Sequence, residues 1–303
     1  MRTIVVGLGV QGHKRAAIAG DDLVGVVDPI HPKAQYKDVR DVPLASYDSA
    51  LVCTPDQVKF ELLRYLLANG KHCLVEKPLL TADNAQIQEL ASLAKENRAT
   101  CYTAYNHRFE PHLMALKQII ESGQLGKIYS ARFFYGNGTA RDVKLSQWRD
   151  KGMGVLPDLG SHMLDMALYL FGEGAISRDF EPWNFNKFEN AAYDHVLFGA
   201  QGAPNLIFEA TLLSWRNTFT ADVLAEKGSA HIHCLCKWGP SALTVRTRIL
   251  PSGRPKEEVK VIESADPTWA AEYSYFKDLC HSGESNLEND LKINVALNTF
   301  TDS

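Results

Sequence analysis

The chain has no apolar run long enough to span a bilayer, which sets aside a helical membrane protein. It has no block of lysine and arginine, and its formal charge is −4. There is therefore no electrostatic footprint for nucleic acid or for an anionic membrane surface. Cysteine is scarce: Cys53, Cys73, Cys101, Cys234, Cys236 and Cys280 are scattered, and the first three lie inside apolar, strand-like runs. That pattern predicts reduced, buried thiols in a cytoplasmic protein rather than a disulfide framework. No segment is of low complexity, and no repeat recurs at a fixed period. The opening MRTIVVGLGVQGHKRAAIAG resembles a signal peptide only briefly, because its short apolar run soon meets His13, Lys14 and Arg15.

What remains is an ordinary globular composition. The 303 residues, 45% hydrophobic and 22% charged, are enough for two domains with real cores. One cluster, HIHCLC at residues 231 to 236, invites a metal reading. As a continuous strand it would point His231 and His233 to one face and Cys234 and Cys236 to the other, so the four could not converge on one ion. No metal site is expected.

Over the first hundred residues, short β-rich runs alternate with helical patterns. TIVVGL precedes GHKRAAIAG; LVGVVD and SALVCTP precede DQVKFELLRYLLANG; KHCLVEKP precedes NAQIQELASLAKENR; then comes ATCYTAYN. This alternation predicts a doubly wound parallel sheet, with Gly70 stopping one helix and Asp83 starting the next. Between Asp28 and Ser49 the chain holds three prolines and little periodicity, so an irregular connection is expected there in place of a crossover helix. From about residue 125 the texture becomes strand after strand, and two helical patterns close the chain. The predicted architecture is α/β plus α+β. A dinucleotide-binding domain covers 1–122, and a second domain over 123–303 holds a large, mostly antiparallel sheet.

The turn GLGVQG, with Gly7, Gly9 and Gly12, follows the strand TIVV and opens a helix pattern. Glycines at this spacing provide a tight turn, close backbone approach to a pyrophosphate, and helix–strand contact, with Val10 and Gln11 between them at the helix start. The run LVGVVD ends in Asp28, sixteen residues beyond Gly12, placed to accept hydrogen bonds from an adenosine ribose. Its charge favours NAD over NADP; His31 and Lys33 in the following loop leave NADP as the alternative. Methyl transfer from S-adenosylmethionine is a rival for such a turn. Glu76-Lys77-Pro78 closes the apolar run HCLV, so Lys77 lies at the carboxyl end of a parallel strand, the edge where open α/β sheets bind ligands.

A second signal lies in PDLGSHMLDMALYLFG. On a helix Asp158, His162 and Asp165 fall at i, i+4 and i+7, one titratable stripe on a mostly apolar surface. The bland reading makes Asp158 a cap, His162 a satisfied core residue and Asp165 a solvent-edge charge.

Taken in order, VVGLGVQG, VCTPDQVKFELLRYLLANGKHCLVEKPL, YNHRFEP and GMGVLPDLGSHMLDMALYLFG resemble the Gfo/Idh/MocA family of oxidoreductases, which contains glucose–fructose oxidoreductase and inositol 2-dehydrogenase. The resemblance extends to AEKGSAHI, nearly the whole chain. It implies a Rossmann domain followed by a domain on a large open sheet, NAD(P) as cofactor, and a homodimer or homotetramer formed through that sheet. It matches Lys77, Asp158 and His162 to the family's catalytic set. It sets Thr54, Pro55 and Glu76 beside the cofactor, and Asn106, Arg108, Trp148 and Arg149 near the substrate, with Asn106 favoured over Arg108. Asp56 and Lys59 depart from the asparagine and histidine that many members carry there. The implied activity is hydride transfer between nicotinamide and a CH–OH/C=O group of a sugar, nucleotide sugar or polyol. In it His162 takes the proton, Lys77 polarises the oxygen, Asp158 holds the imidazole or a substrate hydroxyl, and Asp165 orients the same ring. The rival from another class is a catalytically silent dinucleotide-binding regulator or scaffold; the intact Lys77, Asp158 and His162 speak against it.

Overall fold

The runs Thr3–Val6 and Ser49–Val52 are buried along their whole length, as strands covered on both faces must be. The computed structural model describes residues 1–81, 83–146 and 149–300. In chain order its elements are β1 (Thr3–Val6), α1 (Val10–Ala19), β2 (Leu23–Val27), β3 (Ser49–Val52), α2 (Asp56–Ala68), β4 (His72–Glu76), α3 (Asn84–Glu96) and β5 (Cys101–Ala104). Next come α4 (Pro111–Glu121), β6 (Ile128–Gly136), α5 (Ala140–Lys144), α6 (Ser161–Phe171), β7 (Glu181–Asn186), β8 (His195–Ala200) and β9 (Asn205–Thr211). The chain continues through β10 (Thr218–Ala225), β11 (Gly228–His233), β12 (Ser241–Thr247) and β13 (Lys256–Ile262), and closes with α7 (Thr268–Ser282) and α8 (Leu287–Asn298).

Two compact units result: Met1–Asn106 with Trp269–Asn294, and His107–Thr268 with Val295–Ser303. The first holds a parallel sheet in the order β2-β1-β3-β4-β5. Leu63 and Leu66 of α2, Ile87 and Leu90 of α3 and Leu287 of α8 cover one face; Ala19 of α1 and Tyr273, Phe276 and Leu279 of α7 cover the other. As expected, no α-helix links β2 to β3. Two single 3₁₀ turns, Val39–Asp41 and Leu44–Ser46, and one bridge from Val27 to Tyr36 fill the gap. Asp83 caps α3 by accepting from the Ala85 amide, and Gly70 takes a left-handed conformation (φ 68°) just past α2.

The second unit carries an eight-stranded sheet, order β13-β12-β11-β10-β6-β9-β8-β7, antiparallel except where β6 meets β9. Alternation decides its faces. Phe133, Phe198, Phe208, Ala221, Ile232 and Leu243 are buried on one side, while Leu224, Val259 and Val261 are exposed on the other.

Helix α4 packs on α6 and β12 in the second unit, and α7 returns to the first, where Tyr273 and Phe276 join its core. Three features differ from the sequence reading. Strand β7, EPWNFN, was not anticipated: proline and asparagine disguise it, and both are tolerated because it is an edge strand with a bulge between Pro182 and Asn184. Strand β11 stops at His233; Cys234 turns left-handed (φ 67°) and Cys236 opens a 3₁₀ turn, so HIHCLC is not one strand. Finally, Leu156–Gly160 forms a π-helical turn before α6, which breaks the regular stripe.

Candidate active site

The residues singled out from sequence divide between the two units. Gly7 to Gly12, Asp28, Thr54, Pro55, Glu76, Lys77 and Asn106 belong to the first; Arg149, Asp158 and His162 belong to the second. Trp148 lies outside the described residues. Each set has its own surroundings.

In the first unit the carboxyl ends of β1 to β4 deliver Gly7, Asp28, Thr54 and Lys77 to one edge of the sheet. The chain steps from β1 to β2 on one side and places β3 on the other, a topological switch point. Gly7 has φ 92°, and a side chain there would put Cβ 2.6 Å from the Cys53 carbonyl oxygen. A Cβ on Gly12 would collide with the Gly7 carbonyl, so both glycines serve close packing of α1 against the strand. Gly9 is different. It precedes the first residue of α1, gives that helix no side-chain cap, and a Cβ on it would meet nothing within 4 Å. A bare helix N-terminus beside open space is what a pyrophosphate needs.

Asp28 Oδ2 accepts from the Leu8 amide at 2.7 Å, and Oδ1 accepts from Ile30 and His31 at 3.0 and 2.8 Å. Partial burial works against its charge, but these three amides outweigh it and hold the carboxyl below the usual range. The group is thus an oriented anion tied to the glycine turn. The Thr54 hydroxyl oxygen is buried with no hydrogen-bond partner among the described residues, so it can take one from a ligand. These features fit a nicotinamide dinucleotide: bare amides for phosphate, a carboxylate for ribose, and a vacant hydroxyl at the β3 end.

The Glu76-Lys77-Pro78 turn is held from behind, and its Lys77–Pro78 bond is cis, which proline permits at small cost. Arg15, from α1 and 1% exposed in its side chain, donates to Glu76 Oε1 at 2.6 Å and pairs with Glu272 of α7 at 2.7 Å. Its guanidinium lies 4.2 Å from the Trp269 ring centroid. Lys59 of α2 donates to the carbonyls of Glu76 and Pro78 at 2.7 and 2.8 Å and pairs with Asp56 at 2.7 Å.

In the second unit His162 is the second residue of α6 and only 6% exposed. Its ring lies 4.1 Å from that of His107 and 6.0 Å from that of Tyr135, centroid to centroid. Lys237 Nζ stands 3.1 Å from His107 Nε2. An ammonium can only donate, so a neutral His107 carries its proton on Nδ1. Trp238 packs on Tyr135 at 5.6 Å, and burial, helped by the charge of Asp158, pushes the Tyr135 phenol far up. The phenol therefore stays protonated at neutral pH.

The expected stripe resolves differently. Asp165, 1% exposed in its side chain, is gripped by Arg108 through three contacts of 2.6 to 3.0 Å, and so is Arg108's partner rather than the imidazole's. Burial pushes that carboxyl up while Arg108 works against the shift. Asp158 sits in the π turn, 38% exposed in its side chain, and pairs with Arg149 at 3.4 Å. The π turn departs from the regular 3.6-residue spacing that the stripe assumed. Sequence reasoning passed over His107, Tyr135, Lys237 and Trp238. His107 stood between two residues that were weighed, Tyr135 had only its inward parity with Phe133, and the turn CKWG carried no motif at all.

The cysteine-histidine cluster is dispersed. His231 Nδ1 meets Asp222 at 2.6 Å and Nε2 meets Ser229 at 2.8 Å, whereas Cys236 Sγ donates to Glu110 at 3.2 Å. Among the described residues no group of three or more such side chains could hold a metal ion.

Residues 1–105 match a family described as oxidoreductases with an NAD-binding Rossmann fold, and residues 113–231 match the GFO/IDH/MocA C-terminal domain. The chain is 26% identical over 133 residues to inositol 2-dehydrogenase of Rhizobium meliloti, covering 44% of this chain and 39% of that one. It is 33% identical over 208 residues to the uncharacterised oxidoreductase YhhX of Escherichia coli, covering 67% and 53%. The matched stretches thus span well under two thirds of these relatives. Among solved structures, levoglucosan dehydrogenase in complex with NADH superposes with a TM-score of 0.85 at 18% identity, covering 99% of this chain and 95% of that one. That likeness shows the shared fold.

Proposed function

The chain belongs to the GFO/IDH/MocA family of oxidoreductases, and on that premise we propose that it moves a hydride between a nicotinamide dinucleotide and a CH–OH/C=O group of a sugar, nucleotide sugar or polyol. The observation that carries the reading is the bare N-terminus of α1, open at Gly9 and flanked by the oriented Asp28 carboxylate. When bound, the dinucleotide accepts or supplies the hydride. The protein's own groups do the rest. The amides of Gly9, Val10, Gln11 and Gly12 would hold phosphate, Asp28 would hold ribose and disfavour a 2′-phosphate, and Thr54 and Pro55 would lie beside the cofactor. Glu76, locked by Arg15, holds Lys77, which polarises the substrate oxygen. His162 takes or returns the hydroxyl proton, and its near-complete burial keeps that proton from bulk water. Asp158 and Arg149 contact substrate hydroxyls, with Asn106 as a further contact.

The substrate class is supported by what relatives and neighbours are named for: inositol 2-dehydrogenase, levoglucosan dehydrogenase and UDP-N-acetylglucosamine 3-dehydrogenase. The test is an absorbance scan at the reduced-nicotinamide band with myo- and scyllo-inositol, levoglucosan and UDP-N-acetylglucosamine, each with NAD and with NADP. Turnover of at least one is expected, with NAD preferred by about tenfold, the worth of one charge-assisted contact. Absence of both turnover and NADH binding would remove the reading.

We further propose a cytoplasmic homo-oligomer. All six cysteines are free, and burial pushes the Cys73 and Cys101 thiols far up, as suits a reducing compartment. No helix among the described residues is long and apolar enough to cross a membrane. The outer sheet face exposes Leu224, Val259 and Val261, surface that a second copy would cover. Light scattering after gel filtration is expected to give a dimer or tetramer, and Val261→Lys to lower that mass; a monomeric wild type refutes the interface.

A further inference from the structure

We infer that Lys59 is a positioning residue that sets the direction in which Lys77 leaves the sheet. The inference rests on the reading of Lys77 as the group that polarises the substrate oxygen, and it adds a device to that reading.

Strand β4 ends at Glu76. Beyond it the peptide carbonyls of the turn have left the ladder, and each needs a donor from elsewhere. Water could satisfy them but would leave the turn free to rotate. The chain instead supplies a fixed cation. The Lys59 side chain is 3% exposed, and an ammonium has three N–H donors. Here all three have partners: the Glu76 carbonyl at 2.7 Å, the Pro78 carbonyl at 2.8 Å and Asp56 Oδ1 at 2.7 Å.

The two carbonyls bracket Lys77, one on each side. A single contact would let the turn swing about it; two contacts to one buried atom hold the Glu76–Lys77 peptide plane and the Pro78–Leu79 plane, and the fixed φ of Pro78 leaves little freedom between them for the Cα–Cβ direction of Lys77. Arg15 supplies a third point of attachment through the Glu76 side chain. The charge of Lys59 is balanced by Asp56 at the first position of α2, directly after Thr54-Pro55. Lys59 thereby joins two stretches of the sheet edge, the Thr54-Pro55 strap and the Lys77 turn, into one rigid piece. A merely stabilising lysine would need only the Asp56 partner.

The test uses the full chain with Lys59→Met, which keeps the apolar stem and removes the donors, and Lys59→Arg, which keeps two or more donors. Circular dichroism checks the fold of each. Amide hydrogen exchange read by mass spectrometry over residues 77–81 needs neither cofactor nor substrate. Lys59→Met is expected to speed exchange there by about tenfold or more, with β3 and α3 unchanged, and Lys59→Arg to restore protection. In turnover, kcat of Lys59→Met is expected to fall between about tenfold and a hundredfold, with sugar KM and NADH affinity within about threefold. Unchanged exchange in a folded Lys59→Met protein overturns the clamp. Faster exchange with wild-type kcat overturns its positioning role. Should Lys59→Met not fold, Lys59→Gln, too short to reach both carbonyls, replaces it with the same expected results. If the wild type turns over none of the sugars, the functional reading fails by itself, and the exchange data still decide for or against the clamp.

Discussion

His162→Ala is expected to lower kcat by about 10² to 10⁴, the worth of a positioned general acid–base group, while NADH affinity stays within about twofold. The asymmetry follows from where the groups lie. Every feature that fits a dinucleotide, from the Gly9 opening to the Asp28 carboxylate and the Thr54 hydroxyl, is built by the first unit. His162 belongs to the second, packed against His107 and Tyr135. Tyr135 is no substitute proton acceptor, because burial keeps its phenol protonated. His107 also packs on His162, but Lys237 occupies its Nε2. The substitution therefore removes the assigned proton acceptor. Fluorescence titration with NADH and steady-state turnover, on protein shown to be folded, read the two quantities separately. Wild-type turnover in the variant would end the assignment. A matched loss of NADH binding would show that His162 holds the cofactor.

Arg15→Met should cost about 3–5 kcal/mol of stability, the usual consequence of removing one partner from a buried ion cluster. Arg15 lies between Glu76 of β4 and Glu272 of α7, with Trp269 on its guanidinium. Burial alone would disfavour its charge, but the two carboxylates outweigh that, and its pKa is raised. Without it, Glu272, whose side chain is 0% exposed, and Glu76 face a low-dielectric interior with no guanidinium between them. Glu272, wholly buried and without its guanidinium, then favours its protonated form. The folded variant binds more protons than the unfolded chain, so its stability falls as pH rises through and above the carboxylate range. The deficit relative to wild type should thus be largest at neutral pH and shrink toward pH ~5. Urea unfolding at the two pH values checks both size and sign. A loss under about 1 kcal/mol, or one that grows in acid, contradicts the account.

The same cluster joins residues that lie far apart along the chain. TWAAEYSYFKDL reads as a helix from its own periodicity, and nothing local says that Trp269 and Glu272 meet an arginine more than two hundred and fifty residues earlier. Much else was local and therefore legible. The alternation of apolar runs with amphipathic patterns, the Gly7-Gly9-Gly12 turn, Asp28 at a strand end, the irregular passage before Ser49 and the Asp83 cap are each specified within a dozen residues, because dihedral limits and side-chain periodicity act at that range.

The stripe of Asp158, His162 and Asp165 marks the boundary between the two kinds of information. Regular helical spacing correctly drew attention to the segment but assumed 3.6 residues per turn throughout. Asp158 lies in the π turn at Leu156–Gly160 and pairs with Arg149, and Arg108, fifty-seven positions before Asp165, claims the carboxylate that spacing had offered to the imidazole. Strand β7 was hidden because an edge strand is stabilised by its neighbour rather than by its own propensity.

The sequence by itself determined the two classes of sheet, the glycine turn that opens the first helix, and the residue types able to carry hydride chemistry. Tertiary structure alone decided the neighbours of those residues: Arg15 and Lys59 behind Lys77, His107 and Lys237 beside His162, Arg108 on Asp165. The physical reason is range. Backbone preference and amphipathic period are properties of a few consecutive residues, whereas the partner of a buried charge is whichever opposite group the packed layers bring within 3 Å, at any distance along the chain.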